Sequence, residues 1–133
     1  MTKHNHLMDS KCLSAVISID LNNLKTLNDE RGHAAGDTAL CTIVSCIQNI
    51  LPKGCHLYRT GGDEFMILCS HFSKDEIPSL IEHIRKDLAR TPYCCAIGFA
   101  TPDAEADFEQ ICSIADAAMY ANKKELKSED EIR

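Results

Sequence analysis

No stretch of the 133 residues approaches the roughly 18 consecutive apolar residues of a membrane-spanning helix, so no membrane contact is expected of this segment. No signal peptide opens the chain, and a cytoplasmic location is the expectation. Basic charge is scarce as well. Fourteen Lys and Arg stand against 20 Asp and Glu, a net charge of −6. That balance argues against a broad DNA- or RNA-binding face, which needs clustered cations for the phosphates. It leaves room for a single nucleotide, because a bound metal ion reverses the local sign. Eight cysteines occur, but none forms a C-x-x-C pair, which removes zinc-ligand spacing. Several fall at apolar positions of the expected helices and strands, where Cys behaves as a small hydrophobe. Reduced, buried thiols are therefore favoured over disulfides or metal. Internal repeats are missing too.

What remains is the material of one domain. A hydrophobic content of 44% supports a core, and a chain of this size buries roughly two thirds of its unfolded surface. Ala15-Val16-Ile17-Ser18-Ile19 is β-branched and apolar enough for a central strand, with Asp20 at its carboxyl end. A short helix is expected over Asn22 to Glu30, stopping near Gly32. Leu40, Ile43, Val44, Ile47, Ile50 and Leu51 recur at helical spacing, so a second helix is expected from near Asp37 to just before Pro52. Two hairpin strands follow. Ser73-Lys74-Asp75-Glu76 reads as a capping box before the helical face Ile77, Leu80, Ile81, Ile84 and Leu88. A strand from Cys94 to Ala100 and a helix through Phe108, Ile111, Ala115 and Met119 complete the order β-α-α-β-β-α-β-α. That order gives an α/β sandwich of the α+β kind, with a mostly antiparallel central sheet flanked by helices. Residues 1–14 are read as a polar lead of low order, 15–127 as the domain and 128–133 as a charged tail.

The most informative stretch is Arg59-Thr60-Gly61-Gly62-Asp63-Glu64-Phe65, two glycines and two acids between β-like runs. Gly serves where a turn needs φ > 0 or where a ligand must come close to the backbone. An unpaired buried carboxylate is costly, so acids at such a tip suit a divalent cation better than packing. The same letters also describe an ordinary solvated hairpin.

Upstream stand Asp20-Leu21-Asn22-Asn23-Leu24-Lys25 with Asn28-Asp29, then Gly32-His33-Ala34-Ala35-Gly36-Asp37. Downstream stands Ala115-Asp116-Ala117-Ala118-Met119-Tyr120, leading into Lys123. Together with the turn these resemble the GGDEF family, the diguanylate cyclases, from about Ala15 to Lys127. The resemblance implies a βαββαβ core like the palm of nucleotide polymerases and class III adenylyl cyclases. It also implies condensation of two GTP into cyclic di-GMP, with pyrophosphate released and a homodimer of domains needed. Asp20, the carbonyl of Leu21 and Asp63 would hold magnesium, or manganese in its place. Asp63 and Glu64 would be catalytic, Glu64 by aiding deprotonation or completing the metal site. Asn28 and Asp37 would read guanine, although Asp37 alone could equally cap the following helix. Leu24, with the backbone N–H groups around it, and Lys25, Lys123 and Lys127 would hold the triphosphate. Gly61 and Gly62 would let substrate approach the turn.

The departures are specific. Asn22 and Leu24 stand where many members have Asp and Phe, and Lys127 stands in place of an arginine. Pro52 and Cys55 occupy the positions of an Arg-x-x-Asp product-inhibition site, so feedback through that site is expected to be missing. The family's N-terminal Asp-x-Leu-Thr-x-Leu-x-Asn-Arg segment is absent, and a sensory or regulatory domain is expected elsewhere in a longer parent chain. The alternative is a catalytically inactive GGDEF-like module that binds GTP or a protein partner.

Overall fold

The computed structural model describes residues 13–102 and 107–132, with side chains as far as residue 126. Of the expected polar lead, residues 1–12 lie outside the described residues. Four strands form one sheet: β1 (Leu13–Leu21), β2 (Cys55–Arg59), β3 (Glu64–Ser70) and β4 (Cys95–Ala100), in the order β2-β3-β1-β4. Every described pairing is antiparallel. The helices are α1 (Leu24–Arg31), α2 (His33–Ile50), α3 (Ile77–Leu88), reached through a 3₁₀ turn over Lys74–Glu76, and α4 (Phe108–Ile132). This is the antiparallel α+β sandwich that the element order implies.

All nine residues of β1 are buried, and its alternating side chains separate two cores. Ala15, Ile17, Ile19 and Leu21 point to one face. There they join Ala39, Leu40, Ile43 and Ile47 of α2 and Ile77, Leu80, Ile81, Ile84 and Leu88 of α3. Val16 points to the other face, with Leu68, Ala100 and α4's Ile111 and Ala115. α4 lies so close on β4 that a Cβ on Gly98 would collide with the backbone of Ala118 and Met119. Asn122 of α4 takes the backbone N–H of Ile97 at 2.9 Å, which satisfies a donor on the sheet's edge strand.

Two expectations need correction. α2 begins at His33, not near Asp37, because Gly32 (φ 89°) both ends α1 and precedes α2. Asp37 therefore sits inside the helix and is not its cap. Gly61 and Gly62 do not adopt positive φ either; among the described glycines only Gly32 and Gly54 do.

Candidate active site

The site is built where β1 ends. The side chains of Val16, Ser18 and Asp20 follow one another on the α4 face of the strand, so the chain passes from apolar to polar to charged along one line. Each meets a matching level of α4. Ser18 Oγ donates to Asp116 Oδ1 at 2.6 Å, and Lys123 Nζ lies 2.8 Å from Asp20 Oδ2. Asp20 is 4% exposed, and its other oxygen, Oδ1, is buried with no hydrogen-bond partner.

β3 brings the turn alongside. Asp20 stands opposite Glu64 in the antiparallel register, and Leu21 N–H donates to the Asp63 carbonyl at 2.8 Å. One carboxylate oxygen each from Asp20, Asp63 and Glu64 lies within 4.8 Å of the others. The turn is braced from inside. Arg59 donates to the Gly61 carbonyl at 3.1 Å and to the Gly62 carbonyl at 2.6 Å, and the N–H groups of Thr60 and Gly61 reach the Glu64 carbonyl. A Cβ on Gly61 would make only ordinary contact with Glu64, and one on Gly62 would meet open space. Neither backbone strain nor packing calls for these glycines. What they leave is an uncovered approach to the acids.

Like charges facing each other across a strand pair disfavour one another. Burial, and then the neighbouring Asp63, push the Asp20 carboxyl above its usual range, while the Lys123 ammonium pulls it back. Glu64 is raised by burial and by the charges of Asp20, Asp63 and Asp116. Lys123 is raised chiefly by its hydrogen bond to Asp20. Three clustered carboxylates, one with an orphaned buried oxygen, are a donor set that fits a hard divalent cation.

A second group of residues gathers around α1. Asn23 enters the helix in the left-handed conformation (φ 63°), makes no side-chain cap, and no acid occupies the first turn. The first N–H groups near Leu24 thus lack the side-chain acceptor that usually covers them, an arrangement suited to an anion. Lys25 is exposed on the same turn. Asn28 packs its amide directly on Gly36, where no Cβ would fit, and its Oδ1 is buried without a partner. Asn28 is thereby set beside the helical turn that carries the exposed Asp37. A cleft of about 490 Å³ between α1, α2 and Tyr93 is lined by neither residue. Lys127 lies on α4, with its side chain outside the described residues.

The structure thus brings Asp20, Leu21, Asp63, Glu64, Gly61, Gly62 and Lys123 into one cluster. Sequence reasoning missed the supporting roles of Arg59, Ser18 and Asp116. A signal for two of these was available: Asp116 and Lys123 are seven residues apart on a helix and Ser18 and Asp20 two apart on a strand, so each pair shares a face.

Comparison with known proteins agrees with this fold. The family model described as "Diguanylate cyclase, GGDEF domain" matches residues 2–129. Diguanylate cyclase DosC of Escherichia coli K12 is 29% identical over 128 residues, covering 89% of this chain and 28% of that protein. Cyclic di-GMP phosphodiesterase PdeR of the same organism is 33% identical over 130 residues, covering 90% of this chain and 19% of that protein. The chain therefore spans less than a third of the length of either curated relative. Among solved structures, the active GGEEF domain of a diguanylate cyclase from Vibrio cholerae superposes with a TM-score of 0.79 at 26% identity. That match covers 92% of this chain and 83% of that one.

Proposed function

The chain belongs to the GGDEF family, and from that premise we propose that it is a diguanylate cyclase catalytic domain, condensing two GTP into cyclic di-GMP. The 3′-hydroxyl of one GTP attacks the α-phosphorus of the other, pyrophosphate leaves, and a second such step closes the ring. The observation that carries this reading is the Asp20–Asp63–Glu64 cluster with its orphaned Asp20 oxygen. Asp20, Asp63 and the Leu21 carbonyl would hold magnesium, which when bound neutralises triphosphate charge and acidifies the attacking hydroxyl.

The other roles belong to the chain's own groups. Glu64, its carboxyl raised above the usual range by partial burial and the acids around it, takes the hydroxyl proton. The uncapped start of α1 and Lys25, with Lys127 further along the chain, serve the phosphates. Lys123 holds the charge of Asp20 in the unliganded domain and is free to turn to the triphosphate once that charge is answered otherwise. Asn28 and Asp37 read the guanine edge, the Asp37 carboxylate taking ring and exocyclic N–H groups together. Each domain carries one such site, so two must face each other, and the isolated domain is limited by encounter.

A catalytically inactive module has one observation in its favour, the similarity to a segment of a protein named as a phosphodiesterase. Among the described residues no helix is long and apolar enough to cross a membrane. We assign the domain to the cytoplasm, beside a sensory or regulatory domain in a longer parent.

The test is turnover of GTP with Mg²⁺, following cyclic di-GMP by chromatography at rising protein concentration. A specific rate that climbs with concentration is expected. Mg²⁺-dependent GTP binding without product would favour the inactive module, and neither product nor binding would overturn the nucleotide reading.

A further inference from the structure

The far end of the β2–β3 hairpin carries chemistry that the carboxylate site does not use. Cys55 opens β2 and Cys69 stands directly opposite it on β3. Their sulfurs are 3.0 Å apart, and the two residues are 7% and 0% exposed. The hydrogen-bond phase of the ladder fixes the kind of pair. Ser70 N–H donates to the Gly54 carbonyl and Thr60 N–H to the Glu64 carbonyl, so bonded pairs fall at even positions of β2 and Cys55–Cys69 falls between them. Residues in such non-bonded antiparallel pairs have Cα atoms only about 4.5 Å apart, with side chains drawn together. That separation lies within the span a disulfide bridges, and an S–S bond is only about 1 Å shorter than the observed contact. Side-chain rotation alone would close it, with no movement of the backbone.

Access and activation are both in place. Cys55 borders a surface cleft of about 320 Å³ with Gln48, Leu51, His56, Leu57 and Tyr58, wide enough for a small oxidant. The two sulfurs share a hydrogen bond, which holds the Cys55 thiol below its usual range and, with burial, pushes Cys69 up. The two sulfurs are thus unequal, and Cys55, which also borders the cleft, is the one readier to ionise and attack.

We infer that Cys55 and Cys69 form a redox couple, closing to a cross-strand disulfide when the protein meets a hydroperoxide and reopening with thiols. The Cys55 thiolate attacks the peroxide oxygen, giving a sulfenic acid and releasing hydroxide. Cys69 sulfur then attacks the Cys55 sulfur, and the hydroxyl leaves with the Cys69 proton as water. The sum takes two thiols and one H₂O₂ to one disulfide and two waters, with two electrons passing from sulfur to oxygen. The bridge pins the open end of the hairpin whose other end carries Gly61 to Glu64.

The experiment uses the unmodified chain. After brief H₂O₂ exposure and quenching, free thiols are alkylated under denaturing conditions and the digest is mapped by mass spectrometry. A Cys55–Cys69 linked peptide is expected, two hydrogens lighter than its parts and abolished by dithiothreitol. The oxidised protein should melt on the order of 10 °C higher than the reduced, the rise vanishing in Cys69→Ala. Oxidation confined to the exposed Cys41 and Cys94, with Cys55 and Cys69 still alkylated, would overturn the inference. So would a Cys55–Cys69 link that fails to form until the protein is unfolded.

Discussion

The two faces of β1 differ more than any other pair of regions in the molecule. On one, Ala15, Ile17, Ile19 and Leu21 are at most 1% exposed and join an apolar core with the helices α2 and α3. On the other, Val16, Ser18 and Asp20 are at most 4% exposed, yet the line ends on a carboxylate with an unpartnered oxygen. One strand thus supplies the fold with one set of side chains and the site with the other. The difference teaches that burial by itself does not mark structural residues. Asp20 is buried among other acids and answered by a single lysine, an arrangement that costs stability unless a cation completes it.

The largest expected effect separates the faces outright. Asp63→Ala should lower cyclic di-GMP formation by about a thousand-fold or more, since it removes a ligand and a charge from the cluster. Its unfolding free energy in urea should move by less than about 0.5 kcal/mol. Unfolding of that variant would mean that the carboxylate is structural. The mirror image is Ile17→Ala on the helical face, expected to cost about 3 kcal/mol in the same titration while the rate per folded molecule holds. Gly98→Ala tests the joint between the faces. Its Cβ would drive α4 off β4 at Ala118 and Met119, one turn before Lys123. A loss of about 2 kcal/mol in stability should come with weaker GTP binding in calorimetry. Intact binding would show that Lys123 does not depend on that seat.

The smallest effect has the more telling sign. The folded-state pKa of Asp20 is raised, so the folded chain holds that proton more readily than the unfolded one. Its charge therefore opposes folding above the folded pKa, and the penalty disappears as pH falls through that value. Glu64 works in the same direction. Lys123, also raised, contributes stability that is complete below its unfolded pKa and is lost as pH rises through its folded one. Asp20→Asn should then stabilise the metal-free chain at neutral pH by up to about 1 kcal/mol, despite taking the partner from Lys123. It should also flatten the gain in stability on mild acidification, as followed by urea midpoints across pH.

Much of this was legible in the residues. The β-branched run ending in Asp20 and the Gly-Gly-Asp-Glu turn announce a strand end and a tip that must meet, and the structure sets Asp20 opposite Glu64. The order of helices and strands was readable because each has a clean period and its own punctuation. The start of α2 was not, because Gly32 ends one helix and precedes the next with no polar cap between them. The turn glycines invited an inference about φ that the backbone does not bear out, since neither has a positive φ and a Cβ would fit at both. The contacts from Ser18 to Asp116 and from Asp20 to Lys123 span about a hundred residues and depend on where α4 settles on the sheet. Local patterning carries no record of that registration; Gly98, which sets it, looks in sequence like any glycine in a strand.

The most direct test of the two-face account is Mn²⁺ binding to the nucleotide-free chain by electron paramagnetic resonance, measured for the native sequence and Asp20→Asn. The account expects binding by the native chain and at least a hundred-fold loss in a variant that is as stable or more so. Equal Mn²⁺ affinity in the two, or a variant that loses binding only because it unfolds, would contradict it.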